Sequence, residues 1–323
     1  MRIVGLGGGI GAARLWRALL DRVDPAEVTI IGNTGDDLWI HGLRVCPDLD
    51  TVLYALTGRQ DPERGWGLRD ETWRCMAALG ELGGAAWFNL GDTDLATHLY
   101  RTGALRAGRR LSEVTADLAA RLGLRARLLP MTDDEVETHV RTDTGTVHYQ
   151  EFYIARGATD PVRAVEFRGA EHATPAPGVL EAIAAADRII IGPSNPVASI
   201  GPILAVPGIR DAIKAAAVPV IGVTPIVSGV AIICAGEQRR ADSRTALLAA
   251  LGRPGTAAAA AELLAGLLDA FVVDLADRDE VSGYSPGPDL LLAHTLADEN
   301  GQFRRFREVD LVDLLLSYRP DQR

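Results

Sequence analysis

Short apolar strands recur along this chain, and each is followed by a glycine-containing or polar loop and then by helical sequence. The strands are predicted near residues 2, 27, 187, 218 and 270, and residues 290–293 are a candidate last strand. Strands that alternate with helices pack into a parallel sheet with helices on both faces. The sequence therefore predicts an α/β fold built on a doubly wound, Rossmann-like, mainly parallel sheet.

This alternation is interrupted between residues 36 and 175, where helical segments surround a β-hairpin predicted at the turn 142–145. We expect a discontinuous core formed by residues 1–35 and 176–323. Residues 36–175 would form an inserted helical-plus-hairpin subdomain that covers the substrate edge of the sheet. A length of 323 residues suits one large domain or two interlocked ones.

Composition excludes several classes of protein. The formal net charge of −10 argues against general nucleic-acid binding, which requires a basic face. No apolar run is long enough to span a bilayer, and three scattered cysteines fit neither a disulfide framework nor a zinc site. The sequence enters a strand at Arg2 without the pattern of a secretion signal, so we expect a cytoplasmic protein. Lys214 is the only lysine, which leaves arginine as the expected phosphate-binding residue.

A glycine-rich loop follows the first strand, and its members are Gly7, Gly8, Gly9 and Gly11. A strand, a glycine turn and a helix bind phosphate because small residues let backbone N–H groups approach the anion. The match to GxGxxG is loose, so a tight turn without a ligand is an equal alternative. After the second strand, Asn33 stands where a dinucleotide-binding fold has an acidic residue, which disfavours a Rossmann oxidoreductase.

Acidic residues follow apolar runs at three places: Asp36, Asp37, Asp48 and Asp50; then Asp92 and Asp94; then Asp133 and Asp134. Clustered carboxylates repel one another unless a metal ion or a positive group lies between them. We therefore predict that the first cluster holds magnesium and a diphosphate-bearing substrate. Three such clusters make solvated turns a poor explanation. His98 follows the second cluster, where it would accept a proton, orient a phosphate or serve as a structural histidine.

The strand near residue 187 ends in the loop 192–201, GPSNPVASIG, which is rich in hydroxyl and amide groups. Such neutral donors suit a phosphate or a nucleobase, and loops at the carboxyl ends of parallel strands are where α/β sheets bind ligands. By contrast, a solvated helical face is the interpretation of part of the stretch that contains Arg101, Arg106, Arg109 and Arg110.

Eight motifs occur in a fixed order: GGGIGAARL, NTGDDLWIHGLRVCPDLDTVLYAL, RGWGLRDETW, WFNLGDTDLATHL, LLPMTDDEVETHV, HYQEF, GPSNPVASIGPILAVPGIR and VTPIVSG. Together they resemble the 2-phospho-L-lactate transferase family of coenzyme F420 biosynthesis, over most of the chain to about Gly229. The resemblance implies a magnesium-dependent transferase, without a covalent enzyme intermediate, and a homodimer. It would move phospholactate, phosphoenolpyruvate or a related acid from a guanosine-diphosphate ester to the terminal ribityl hydroxyl of the deazaflavin Fo. GMP would leave, and the product would be a coenzyme F420-0 type phosphodiester.

The resemblance also implies roles for individual residues. Asp48 and Asp50 would hold the magnesium ion and contact the acceptor. Asp50, or alternatively Asp36, would accept the proton of the attacking hydroxyl. The substrate-binding residues would be Gly7, Gly8, Gly9, Gly11, Asn33, Asp37, Asn89, Asp92, Asp94, His98, Ser194, Asn195 and Ser199. Among these, Asn89 would contact Fo, whereas Ser194, Asn195 and Ser199 would contact the guanosine diphosphate.

Two segments depart from the family pattern: residues 230–240 and the C-terminal segment 281–323, which contains the basic-aromatic stretch 302–307. If the first segment contacts the donor, an unusual acid such as phosphoglycerate is expected. The alternative function is that of a nucleotide-sugar-binding regulatory protein of the same superfamily, and the PDLD and WFNLGD motifs favour the transferase over it.

Overall fold

The computed structural model describes residues 1–232, 234–282, 287–297 and 302–320. Its strands are β1 (Ile3–Leu6), β2 (Val28–Gly32), β3 (Leu38–Ile40), β4 (Leu43–Val45), β5 (Arg127–Pro130), β6 (Glu137–Thr142), β7 (Gly145–His148), β8 (Val162–Arg168), β9 (Arg188–Ile191), β10 (Val220–Val223), β11 (Ala270–Asp274) and β12 (Asp289–Ala293). Its α-helices are α1 (Gly9–Leu20), α2 (Pro47–Leu56), α3 (Arg74–Glu81), α4 (Asp94–Arg106), α5 (Leu111–Leu122), α6 (Val179–Ala185), α7 (Ile200–Ala205), α8 (Ile209–Ala215), α9 (Ala235–Ala250), α10 (Ala257–Leu263) and α11 (Leu311–Ser317). Among these described residues, no helix has both the length and the apolar character needed to cross a membrane.

The central sheet has the order β12-β11-β10-β9-β1-β2-β5, and its seven strands are all parallel within the described ranges. Val4 of β1 lies beside Thr29 of β2 on one side and Ile189 of β9 on the other. The chain moves outward from β1 in one direction and from β9 in the other. The switch point between β1 and β9 opens a crevice beyond their carboxyl ends, where α/β folds bind ligands. The predicted doubly wound α/β fold is confirmed.

Both faces of the sheet are buried, because successive side chains of a strand point to opposite faces and helices cover each face. Val4 and Ile189 belong to one hydrophobic cluster, while Ile3 and Ile190 belong to the other. Trp16 of α1 packs directly against the sheet, where a Cβ at Gly5 or at Gly192 would lie 2.8 Å from its ring. These two glycines therefore allow α1 to approach β1 and β9 closely.

The segment 36–175, expected as an insertion, contains β5 and therefore contributes a strand to the central sheet. Its other strands form the antiparallel sheet β7-β6-β8 and the hairpin β3-β4. The predicted turn at 142–145 is confirmed, because Thr142 and Gly145 pair across it. However, the alternating pattern predicts a strand over 146–154, whereas β7 ends at His148 and Glu151–Ala155 forms a π-helical turn.

Three helices differ from the bounds that the sequence pattern predicts, which are 51–56, 64–79 and 257–268. α2 begins at Pro47, earlier than the expected residue 51, so Asp48 and Asp50 lie in a first helical turn and not in a loop. The helix expected from residue 64 begins only at Arg74. Gly65 and Gly67 have positive φ angles of 72° and 68°, which are incompatible with a regular α-helix. α10 ends at Leu263, five residues before the predicted end.

Candidate functional site

A cavity of about 1030 Å³ opens beyond the carboxyl ends of the central strands. The glycine loop after β1, the first turn of α2 and the 193–199 loop after β9 line one side of it. The loop after β10 and the N-terminal half of α9 line the other side. The cavity thus lies at the switch point of the sheet. Of the predicted site residues, Gly7, Asn33, Asp37 and Asp92 do not line it.

The glycine loop is held between α2 and the loop after β9. A Cβ at Gly8 would lie 2.4 Å from Cβ of Asp48, and one at Gly11 would lie 2.4 Å from the carbonyl oxygen of Pro193. Ser194 closes the arrangement, since its hydroxyl donates a 3.0 Å hydrogen bond to the carbonyl oxygen of Gly8. Gly9 adopts a φ of +71°, which favours glycine. The loop therefore has no room for side chains on its Asp48 and Pro193 sides.

We expect Gly8→Ala to lower both the melting temperature and kcat, because the added methyl group must displace Asp48 from its position in α2. Thermal unfolding and turnover by the same preparation measure the two effects. Gly103→Ala is the matched control, since a Cβ at this helical glycine of α4 would meet nothing within 4 Å. Equal behaviour of the two variants would contradict the tight packing of the glycine loop.

Asp36 and Asp48 form a buried carboxylate pair joined by one amide. Nδ2 of Asn33 donates to Asp36 at 2.9 Å and to Asp48 at 3.1 Å, and Gln150 donates to the other oxygen of Asp36 at 2.8 Å. Burial raises the pKa of Asp48 to about 6, although hydrogen bonds from Asn33 and Ser199 oppose the shift. Burial, and then the charges of Asp48 and Asp37, raise the pKa of Asp36 well above its usual range. Both carboxylates face the cavity and lack a cationic side chain as partner in the described structure.

Asp37 lies behind this pair and is fully buried. Its carboxylate is 3.5 Å from the guanidinium of Arg44. Burial raises the pKa of Asp37 to about 7 even though the charge of Arg44 acts in the opposite direction. The structure therefore places Asp37 in a buried ion pair beneath the cavity and out of contact with a ligand.

Asp50 is also engaged by an arginine. Both oxygens of its carboxylate accept hydrogen bonds from Arg101 of α4, one at 3.1 Å and one shorter. Nδ1 of His98 lies 3.2 Å from the same guanidinium, and its Nε2 lies 3.3 Å from Asp94. Tyr54 donates to the other oxygen of Asp94 at 2.6 Å. A polar chain thus joins α2 to α4 and lines the cavity with Asp50, Asp94 and His98.

Burial alone would raise the pKa of Asp94, but hydrogen bonds from His98 and Tyr54 and the charges of His98 and Arg101 hold it below its usual range. Arg101 itself is buried, so the interpretation of this arginine as part of a solvated face is wrong. The sequence does contain a sign of this burial. Arg101 follows His98 by three residues, and residues three apart lie on the same face of a helix.

Asp92 caps a helix. Its carboxylate accepts hydrogen bonds from the hydroxyl of Thr72 at 2.6 Å and from the backbone N–H groups of Arg74 and Cys75 at 3.2 and 2.9 Å. These interactions hold the beginning of α3 and lower the pKa of Asp92. Asn89, three residues earlier, lines the cavity.

The loop after β9 brings three predicted residues to the cavity: Ser194, Asn195 and Ser199. Oδ1 of Asn195 accepts 3.0 Å hydrogen bonds from the backbone N–H groups of Val197 and Ala198, which fixes the turn. Ser199 then lies near Asp48 and opposes the rise in the pKa of that carboxyl. Four arginines that also line the cavity were not predicted as site residues: Arg14, Arg239, Arg240 and Arg244.

The carboxylates that could hold a metal ion are those with no other cation nearby. Within the described ranges no group of three or more His, Cys, Asp or Glu side chains is arranged to hold one by itself. Asp36 and Asp48 nevertheless present two oxygen ligands on one bridging amide. This donor set fits Mg²⁺, which is usually bound by one or two carboxylates together with substrate phosphates. Asp50 fits less well than expected because Arg101 already compensates its charge.

Comparison with known proteins shows the family to which the chain belongs. Residues 3–285 match the family described as 2-phospho-L-lactate transferase CofD. The chain is 52% identical over 289 residues to the phosphoenolpyruvate transferase of Kitasatospora aureofaciens, with 87% of this chain and 88% of the relative covered. It is 42% identical over 304 residues to the phosphoenolpyruvate transferase of Mycolicibacterium smegmatis, with 88% and 90% covered.

The fold is also that of a solved Bacillus halodurans protein of the UPF0052 family. The TM-score is 0.52 at 18% identity, over 93% of this chain and 88% of that one. At this identity the likeness concerns the fold alone. The match to the family ends at residue 285, within the C-terminal segment that the sequence motifs left unmatched. Motifs, fold and close relatives agree, and the chain belongs to the 2-phospho-L-lactate transferase (CofD) family.

Proposed function

We propose that this protein transfers a phospho-organic acid from a guanosine-diphosphate ester to the terminal ribityl hydroxyl of Fo, as a step of coenzyme F420 biosynthesis. The observation that carries the proposal is the buried Asp36–Asp48 pair beside the glycine loop, in a chain 52% identical to a phosphoenolpyruvate transferase. In the reaction a bond forms between the hydroxyl oxygen and the phosphorus that carries the acid. The bond from that phosphorus to GMP breaks, and the hydroxyl proton passes to a base.

Asp36 and Asp48 would hold the magnesium ion. When bound, Mg²⁺ would supply charge neutralisation at the phosphate oxygens, which is the main requirement of phosphoryl-type transfer. The glycine loop would let the donor approach the backbone. Ser194 and Asn195 line the same part of the cavity. The amide of Asn33 holds the two carboxylates in place from behind.

Asp50 was the preferred base in the sequence analysis, with Asp36 as the alternative. Because both oxygens of Asp50 accept hydrogen bonds from Arg101, its protonation would disturb a buried ion pair. Asp36 lines the cavity without an arginine partner, and we assign it with Asp48 to the magnesium ion. A carboxylate that binds a cation is a poor proton acceptor, because the cation stabilises its ionised form. On this assignment neither predicted base is free for the role, and Asp50 would align α2 with α4.

We propose enolpyruvate as the transferred acid, because relatives up to 52% identical are named phosphoenolpyruvate transferases. Residues Val230, Ala231 and Ile232 of the atypical 230–240 segment line the cavity. The expectation that this segment selects a different acid, such as phosphoglycerate, is thus open to direct comparison of donors.

The test is a turnover assay with Fo, Mg²⁺ and the guanosine-diphosphate esters of enolpyruvate, lactate and phosphoglycerate. GMP and the phosphodiester are detected by mass spectrometry, and EDTA provides the metal-free control. We expect product with the enolpyruvyl ester and none with EDTA. A faster reaction with phosphoglycerate would correct the donor. Binding of a UDP-sugar without binding of Fo would replace the transferase by the regulatory function.

A further inference from the structure

Four arginines line the cavity. Arg14 belongs to α1, and Arg239, Arg240 and Arg244 belong to α9. Helix α9 also packs against β8, so these side chains are carried by a helix that is fixed against the antiparallel sheet. The two arginines described above differ from these four, because Arg44 is paired with Asp37 and Arg101 with Asp50.

Few acidic side chains compensate this positive charge. In the described part of the chain, one of the four arginines has an ion-pair partner: Arg240 lies 3.8 Å from Glu237. There, Arg14, Arg239 and Arg244 form no ion pair, and Nε of Arg244 is buried without a hydrogen-bond partner. Arg244 as a whole is half-buried, and a buried N–H group such as its Nε–H is costly unless a ligand supplies an acceptor.

Two of these arginines have pKa values below the usual range, because their surroundings disfavour the charged form. Burial lowers the pKa of Arg244, and the charge of Arg240 lowers it further. Burial and then Arg240 likewise lower the pKa of Arg14, across the cavity on α1. Like charges therefore face one another inside the cavity, and an oxyanion between them would relieve this repulsion.

Two consecutive residues connect the arginines with the carboxylate pair. The hydroxyl of Tyr149 is 3.1 Å from the hydroxyl of Ser243 on α9, and its ring stacks on Tyr153 at 5.7 Å. The next residue, Gln150, donates to Asp36. A ligand that reaches Asp36 and Asp48 therefore lies in the same cavity as the arginines, with Tyr149 at the junction.

We propose that Arg14, Arg240 and Arg244 form an oxyanion subsite that binds a phosphate of the nucleotide donor. Guanidinium groups suit this role because their planar N–H groups match phosphate geometry in a bidentate manner. The chemistry is shared by the diphosphate of the donor and by its phospho-acid end. This inference rests on the proposed function for the identity of the donor, whereas the subsite itself rests on the arginine geometry.

The experiment measures binding without turnover. Isothermal titration calorimetry of the full-length protein with Mg²⁺ uses two probes, GDP and phosphoenolpyruvate. The variants are Arg244→Gln, Arg244→Lys and, from the opposite wall, Arg14→Gln. Arg163→Gln is the matched control, because Arg163 is exposed on β8 and paired with Asp143. Melting temperatures show whether each variant is folded.

We expect Arg244→Gln and Arg14→Gln to weaken binding of at least one probe about tenfold or more, as loss of a charge-assisted hydrogen bond implies. Arg244→Lys should restore only part of the affinity, since it keeps the charge but loses the planar fork. A loss with GDP assigns the subsite to the diphosphate, and a loss confined to phosphoenolpyruvate assigns it to the phospho-acid end.

Unchanged affinity for both probes in folded Arg244→Gln and Arg14→Gln would overturn the subsite. If the wild-type protein then still produces the phosphodiester, the subsite is wrong and the proposed function stands. If the arginine variants lose affinity for GDP but the wild-type protein converts no ester, the subsite stands and the proposed function fails.

Discussion

Asp48→Asn is expected to reduce kcat/KM by about 100- to 1,000-fold, the range seen when one preorganised electrostatic contact to a transition state is removed. Asp48 lies in the first turn of α2, against Gly8, and shares the amide of Asn33 with Asp36. Its replacement leaves one carboxylate where two are available for a magnesium ion. Because asparagine keeps the size of the side chain, the packing of Gly8 should be preserved.

Stability separates this effect from misfolding. Burial raises the pKa of Asp48, so in the metal-free protein its ionised form costs stability at neutral pH, and Asn is expected to keep or raise the melting temperature. Asp310→Asn is the matched control, since Asp310 is another buried aspartate at the start of a helix, paired with Arg22 and remote from the cavity lining. Full activity of folded Asp48→Asn would refute the assignment of Asp48.

Arg101→Met is expected to lower the free energy of unfolding by about 3–5 kcal/mol, the usual effect of removing one partner of a buried ion pair. Arg101 is 1% exposed, and Asp50 is 5% exposed. Without the guanidinium, the charge of Asp50 would remain buried beside Asp94, and in the described structure only the imidazole of His98, 3.8 Å away, would be left to compensate it. Urea denaturation of the two proteins at the same pH measures the difference.

A double-mutant cycle identifies the cause. Asp50→Asn in the Arg101→Met background removes the stranded charge, so it should recover part of the lost stability. Arg163→Gln, which breaks an exposed pair with Asp143, should have a much smaller effect because solvent screens it. Equal losses for the single and double variants would show that Arg101 stabilises through packing alone.

The α/β architecture was largely predictable because strand and helix periodicity are local properties of the sequence. All five strands predicted near residues 2, 27, 187, 218 and 270 belong to the central sheet, and the candidate strand at 290–293 is its edge strand β12. The segment around β5 was harder to place. Its strand is separated by helices and loops from β2, its partner in the sheet, and such long-range pairing has no local signal.

The site shows the same division. The sequence by itself predicted the glycine loop, the first two acidic clusters and the loop after β9 as parts of the site, because these polar residues follow apolar strands and the carboxyl ends of parallel strands meet at one edge. The third cluster, Asp133 and Asp134, does not line the cavity; these residues accept hydrogen bonds from Ser112 and Thr174. Only the tertiary structure decided which of these carboxylates are available to a ligand in the cavity. It pairs Asp50 with Arg101, uses Asp92 to cap α3 and leaves Asp36 with Asp48 at the cavity.

Helix α9 gives the physical reason for this difference. The sequence predicted no role for its arginines, although Arg239 and Arg240 lie in the atypical 230–240 segment, and they line the cavity because α9 packs on β8 of the antiparallel sheet. Whether a charged side chain is solvated, paired or directed at a ligand depends on groups that are distant in the chain. Periodicity in the sequence determines the elements and their polar ends, and the three-dimensional pairing of charges determines which of those ends can act.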